Sequence, residues 1–113
     1  VGLEMARFEL EFHKDLPVAL ANAEHEFEHR ENNIDVNATL AAILYAQGAY
    51  GAATTHLDMA KSTGSKSAEI LLMDGLLTAA NGNVEAGRQL VKQAFVKDPY
   101  LQHAFAGSGR AML

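Results

Sequence analysis

One pentapeptide in this chain has the residue types and spacing of a metal site. His25-Glu26-Phe27-Glu28-His29 places two imidazoles four residues apart, one turn of a helix, with carboxylates between them. Two such histidines can hold a zinc ion. The first glutamate can act as the base toward a metal-bound water, the arrangement of metal-assisted peptide hydrolysis. Phe27, however, closes an apolar run of Leu16, Ala19, Leu20, Ala23 and Phe27 at steps of three and four. At about 100° per residue, both histidines stand about 160° from Phe27 and so face water. A catalytic zinc needs a sheltered cleft and groups that orient its ligands from behind. The spacing therefore predicts no cofactor and no catalysis. His25 and His29 stand as the only metal candidates, and a zinc metallohydrolase is the remote reading.

The rest of the chain offers little other chemistry. Cysteine is absent, which excludes disulfides and thiolate metal sites. Gly64-Ser65-Lys66-Ser67 matches the end of a phosphate loop but lacks the leading glycine and a preceding strand, so it reads as a loop between elements. Ser108 lies between two glycines without the pattern of a nucleophile elbow, in an expected tail. His13, His56 and His103 read as surface or packing residues, and Met5, Met59, Met73 and Met112 as core filler or groove lining. The net charge of −5 is uneven: residues 1–36 carry nine acids against three bases, the remainder five against six. No basic stripe exists to neutralise phosphates, so nucleic acid is not an expected partner. The longest apolar run, Leu40 to Ala46, is far too short to span a membrane. Compartment is left open between cytoplasm and periplasm. The chain begins at Val1 inside a helical pattern, which leads us to expect a piece of a longer protein.

The periodicity is helical throughout. An opening helix is expected to end near Lys14. Asp15 then caps a second helix with Pro17 in its first turn, running to about Arg30. A third covers roughly Val36 to Gln47 and closes at Gly48. A fourth runs from about Tyr50 to Lys61, with Ala53, Leu57 and Ala60 inward. A fifth covers Ala68 to Ala80 and stops at Gly82. Asn83 caps a sixth that runs to Lys97 before Asp98-Pro99. Leu101 to Phe105 is expected to begin a seventh, after which Gly107-Ser108-Gly109 loosens the chain. No useful stretch alternates with period two, so no sheet is expected.

A turn and the helix after it occur twice, 34 residues apart: Gln47-Gly48-Ala49-Tyr50-Gly51-Ala52-Ala53 and Asn81-Gly82-Asn83-Val84-Glu85-Ala86-Gly87. That period is the mark of a helix–turn–helix repeat. The copy beginning at Ile34, with Leu40-Ala41, Gly48, Tyr50, Ala53, Leu57 and Ala60, resembles the tetratricopeptide repeat family. The copy beginning at Ala68 is similar, with Gly75, Gly82, Val84, Gly87, Val91, Ala94 and Pro99, and an earlier copy matches at Leu16, Ala19 and Ala23. The chain departs from the family where Asn37 and Leu71 replace a large aromatic, Ser65 a closing proline and Asp74 a leucine. An unpaired carboxylate at a packing position would cost several kcal/mol. Asp74 must therefore reach solvent or find a partner.

The resemblance implies an all-α fold, a right-handed α-solenoid of about three antiparallel helix pairs (3–30, 35–61 and 68–97), followed by a short segment 99–113, as one domain. It implies a non-catalytic scaffold or adaptor, a bacterial one by likeness. The partner, a protein or peptide, would lie in a groove lined by the first helix of each pair. Carried over by position, that face is Glu4, Met5, Phe8 and Glu11, then Ala38, Thr39, Ala42 and Tyr45, then Leu72, Met73, Leu76 and Ala79. Lacking Lys, Arg and Asn, it does not fit the family's clamp for terminal carboxylates. It suits an apolar or basic segment. The alternative is a structural spacer or self-associating segment, a homodimer through terminal helices carrying Met5, Phe8, Phe12, Leu101, Phe105, Met112 and Leu113.

Overall fold

The computed structural model describes residues 2–13 and 15–113, without the side chain of His13. The expected end of the first helix at Lys14 and the packing of His13 thus lie outside the described residues. Among those described there are seven α-helices and no strand. They are α1 (Gly2–Phe8), continued over Glu9–His13 by wider π-type turns, α2 (Leu16–His29), α3 (Ile34–Ala46), α4 (Tyr50–Lys61), α5 (Ala68–Ala80), α6 (Val84–Lys97) and α7 (Ala106–Ala111).

The period of 34 is carried by the backbone. Helices α2, α4 and α6 begin at Leu16, Tyr50 and Val84, and α3 and α5 begin at Ile34 and Ala68. The starts follow local chemistry. Side chains of Asp15, Asn33, Ser67 and Asn83 each accept the backbone N–H three residues on, satisfying a donor that the helix leaves unpaired. The turns match as well. Gly48 N–H donates to Tyr45 and Ala49 N–H to Leu44; Gly82 N–H donates to Ala79 and Asn83 N–H to Thr78. Gly48 and Gly82 take φ of 79° and 105°, a region that disfavours side chains.

Each hairpin, α1/α2, α3/α4 and α5/α6, packs internally, and α2 touches α3 as α4 touches α5. The first helices also meet in succession, α1 with α3 and α3 with α5. Ala19, Ala53 and Gly87 are equivalent and all buried, as are Ala23, Leu57 and Val91. Gly75 and Gly87 mark the closest approach. A Cβ on Gly75 would lie 2.6 Å from Gly87 O, and one on Gly87 would lie 2.5 Å from Gly75 O.

Both polar departures inside the helices, Asn37 and Asp74, are resolved by partners. Asn37 is fully buried. Its amide donates to Glu31 O (2.8 Å) and Asn33 O (3.0 Å), so its Oδ1 must accept, and it meets His56 Nδ1 at 2.8 Å. His56 stacks edge-on against Phe27, tying α2, α3 and α4 together, and desolvation holds the imidazole below its usual pKa. Asp74 pairs with Lys61 at 2.9 Å between α4 and α5.

The C-terminal expectations need correction. Residues 101–105 are not helical; the last helix is α7, and it contains Gly107-Ser108-Gly109. Gly109 is buried because a Cβ there would come within 2.5 Å of Leu72 Cδ1 and 3.2 Å of Phe95. Its job is close approach rather than a loosened tail. Leu101 and Ala106 are buried, and Phe105 and Met112 pack on the core, whereas Leu113 of the same expected apolar end stays exposed.

Three stability outcomes follow. Gly87→Ala is expected to lower stability by ~1–3 kcal/mol through overpacking. Gly51→Ala, at an exposed helical position with open space beside it, is expected to raise stability by up to ~1 kcal/mol. Asn37→Leu is expected to cost ~1–3 kcal/mol by leaving the Glu31 carbonyl and the His56 ring without their partner. Denaturant melts of the three variants, with opposite signs for the two glycines, check the packing.

Candidate functional site

The face formed by α1, α3 and α5 is where a groove was expected, and the chain's own C-terminal segment lies on it. After α6 ends, Asp98 Oδ1 accepts the Tyr100 N–H and the chain turns back. Phe105 packs edge-on against Tyr45 of α3 at 5.0 Å between ring centres. Gly109 sits against Leu72 of α5. The guanidinium of Arg110 lies 4.7 Å from the centre of the Phe95 ring, and Arg88 Nε donates to Met112 O at 2.9 Å. We call residues 99–113 the strap.

Of the twelve groove positions, Ala38, Thr39, Ala42, Leu72, Met73 and Leu76 are buried, which corrects the expectation of an open surface there. Thr39 and Ala42 are roofed by strap residues Gln102, His103 and Ala104, and Leu72 by Gly109. Tyr45 and Ala79 are half-buried. Glu4, Met5, Phe8 and Glu11, all from the first helical segment, keep exposed surface.

Between strap and helices is a cleft of about 170 Å³ bordered by Arg7, Leu10, Glu11, Thr39, Ala42 and Glu69 on one side and Gln102 to Ala104 on the other. Its polar groups come from distant parts of the chain. Arg7 Nε donates to Thr39 Oγ1 at 3.0 Å, and its Nη2 lies 3.7 Å from Glu69 and 4.0 Å from Asp35. Arg7 is nearly half exposed, so these pairings are screened and contribute ~0–1 kcal/mol each. Their main effect is to hold α1 against α3 and α5.

His103 is the buried member, with only 8% of its side chain exposed. The Phe105 N–H donates to its Nδ1 at 3.0 Å, so the neutral ring carries its proton on Nε2, which faces Glu69 Oε1 at 3.7 Å. Desolvation, and then the Arg7 charge, push the imidazole down to about 4, against a smaller opposing pull from Glu11. Glu69 is pushed up by desolvation and by Asp35, with Arg7 opposing. Burial thus favours a neutral His103 beside Glu69. Among the described residues, no hydroxyl is bonded to His103; the nearby Thr39 hydroxyl is bonded to Arg7.

The sequence reading missed Arg7, Glu69 and His103 as a group, and the strap as an element. One signal was present: Leu101, Phe105 and Gly109 recur every four residues across a stretch read as the start of a helix followed by a loosened tail. His25 and His29 are exposed on α2, as their spacing from Phe27 implies. Comparison of the chain with protein families, curated proteins and solved structures gives no match. Among the described residues, no helix is long and apolar enough to cross a membrane.

The pH response of the strap follows from His103. The unfolded chain binds a proton near 6.5 and the folded chain near 4, so the stability that the neutral buried ring contributes is complete above 6.5 and is lost as pH falls toward 4. Glu69, raised in the folded state, works in the opposite sense, losing stability as pH rises through its own range. Melts of the parent and of His103→Gln at pH 4.5 and 7 separate the two. The parent is expected to lose more stability on acidification than the variant, and equal losses would remove His103 from the account.

Proposed function

We propose that this chain is a non-catalytic protein- or peptide-binding module built of tetratricopeptide-like helical repeats, and that the face of α1, α3 and α5 is its binding surface. One observation carries this reading. That face already holds an apolar segment, the strap, through Phe105 on Tyr45 and Gly109 on Leu72. On this reading the strap stands in for the ligand: a short segment with a leucine or phenylalanine anchor and a small residue at the point of close approach. Its Phe105 anchor lies on Tyr45, while the exposed carboxylates of Glu4 and Glu11 suit a basic flank. A partner of this chemistry competes with the strap, so its apparent affinity falls by the fraction of molecules in which the strap is seated.

A labelled peptide of residues 99–113 tests the proposal. It is expected to bind the parent chain weakly and a Leu101→Asp/Phe105→Asp variant roughly tenfold or more tightly, because the variant's own strap no longer competes. Circular dichroism establishes that the variant keeps its helices. Failure of the folded variant to bind the peptide above a scrambled control would sink the reading.

The second reading, self-association, draws on α1 and its continuation, where Met5, Phe8 and Phe12 are 46%, 44% and 63% exposed. Light scattering across concentration and salt tests it. Like-charged acidic faces repel, so association should strengthen as salt screens them, and a monomer under all conditions would exclude it.

A further inference from the structure

We propose that His25, Glu28 and His29 form a surface site for one divalent transition-metal ion of the zinc class. The three side chains occupy successive turns of one face of α2, and one ligand atom from each lies within 4.8 Å of the others. An ion seated between them would need only rotamer adjustment to reach all three, since zinc takes imidazole nitrogen and carboxylate oxygen at ~2.0–2.2 Å. Two imidazoles favour zinc, nickel or copper over calcium or magnesium, which prefer all-oxygen sets.

The neighbouring residues support this choice of ligands. Glu26, the other carboxylate of the pentapeptide, accepts from Arg30 Nη2 at 2.9 Å and is therefore engaged elsewhere. None of the three proposed ligands makes a hydrogen bond or ion pair among the described residues, and the His25 and His29 rings rest edge-on at 5.2 Å. All three are exposed, so binding removes no packing and buries no charge. The helix beneath is anchored by the Asp15 cap, by buried Ala19 and Ala23, and by Phe27 on His56, so the ligands project from a fixed frame. Three protein ligands leave at least one coordination position open to water or to a donor from another molecule.

Zinc chloride titrated calorimetrically into the full chain, in a buffer that does not bind metal, tests the site. One saturable equivalent is expected. His25→Ala and His29→Ala should each weaken binding by roughly 10- to 100-fold, no less than the loss of a mere supporting partner at a metal site. Glu28→Gln should weaken it as well, whereas Glu26→Gln should leave it unchanged. Zinc should raise the thermal midpoint of the parent and not that of the His25→Ala/His29→Ala double variant, because an ion stabilises only the form that binds it. These positions face solvent, so circular dichroism of the variants should match the parent. Absence of saturable binding, or binding that survives in the double variant, overturns the proposal. Equal damage from Glu26→Gln and Glu28→Gln overturns the choice of third ligand.

Discussion

The structure depends on helices that approach one another more closely than large side chains permit. At α5 and α6 the contact is glycine on glycine, with each backbone carbonyl occupying the space of the other's missing Cβ. Elsewhere the same role falls to alanine: Ala19 and Ala23 in α2, Ala38, Ala41 and Ala42 in α3, and Ala53 and Ala60 in α4 are all buried. Such a core gains little from any one side chain and relies on dense, well-matched contact along whole helices. The larger residues, Leu40, Ile43, Leu57, Leu72 and Met73, fill the spaces that the small ones leave.

That close packing explains why polar groups can be admitted inside. Asn37 stands in a position with no solvent access, yet every hydrogen-bonding atom of its amide has a partner, and one of those partners, His56, belongs to the next helix. An aromatic at this position would give apolar area. The asparagine gives direction instead, because its donors and acceptor accept only one arrangement of the α2–α3 turn against α4. Asp74 and Lys61 do the same between α4 and α5 in a more exposed setting, where the pair mainly relieves the carboxylate of a desolvation cost.

The strap joins fold and proposed function. Its anchors cover the inner face while its one buried titratable group, His103, sits next to Glu69 and Arg7. Apolar covering and a neutral histidine point the same way, since both favour a closed, water-poor contact near neutral pH. Two exposed surfaces differ in chemistry. The first helical segment offers Phe8 and Phe12 among acids, and the far face of α2 offers imidazoles and a carboxylate.

The sequence by itself determined the local architecture. Helix starts at Leu16, Tyr50 and Val84, the Asp15 and Asn83 caps, and the turns at Gly48 and Gly82 are written in residues within a few positions of one another, so the period of 34 is legible directly. The inward stripe of α2 and the outward His25 and His29 follow from 3.6-residue geometry for the same reason. Tertiary structure alone decided what covers the inner face. Arg7, Asp35, Glu69 and His103 meet across a separation of up to 96 positions, and no periodicity links them. The glycines of 107–109 carry the same lesson. Conformational freedom and close approach call for the same residue, and only the presence of Leu72 and Phe95 against Gly109 distinguishes a packed helix from a loose tail.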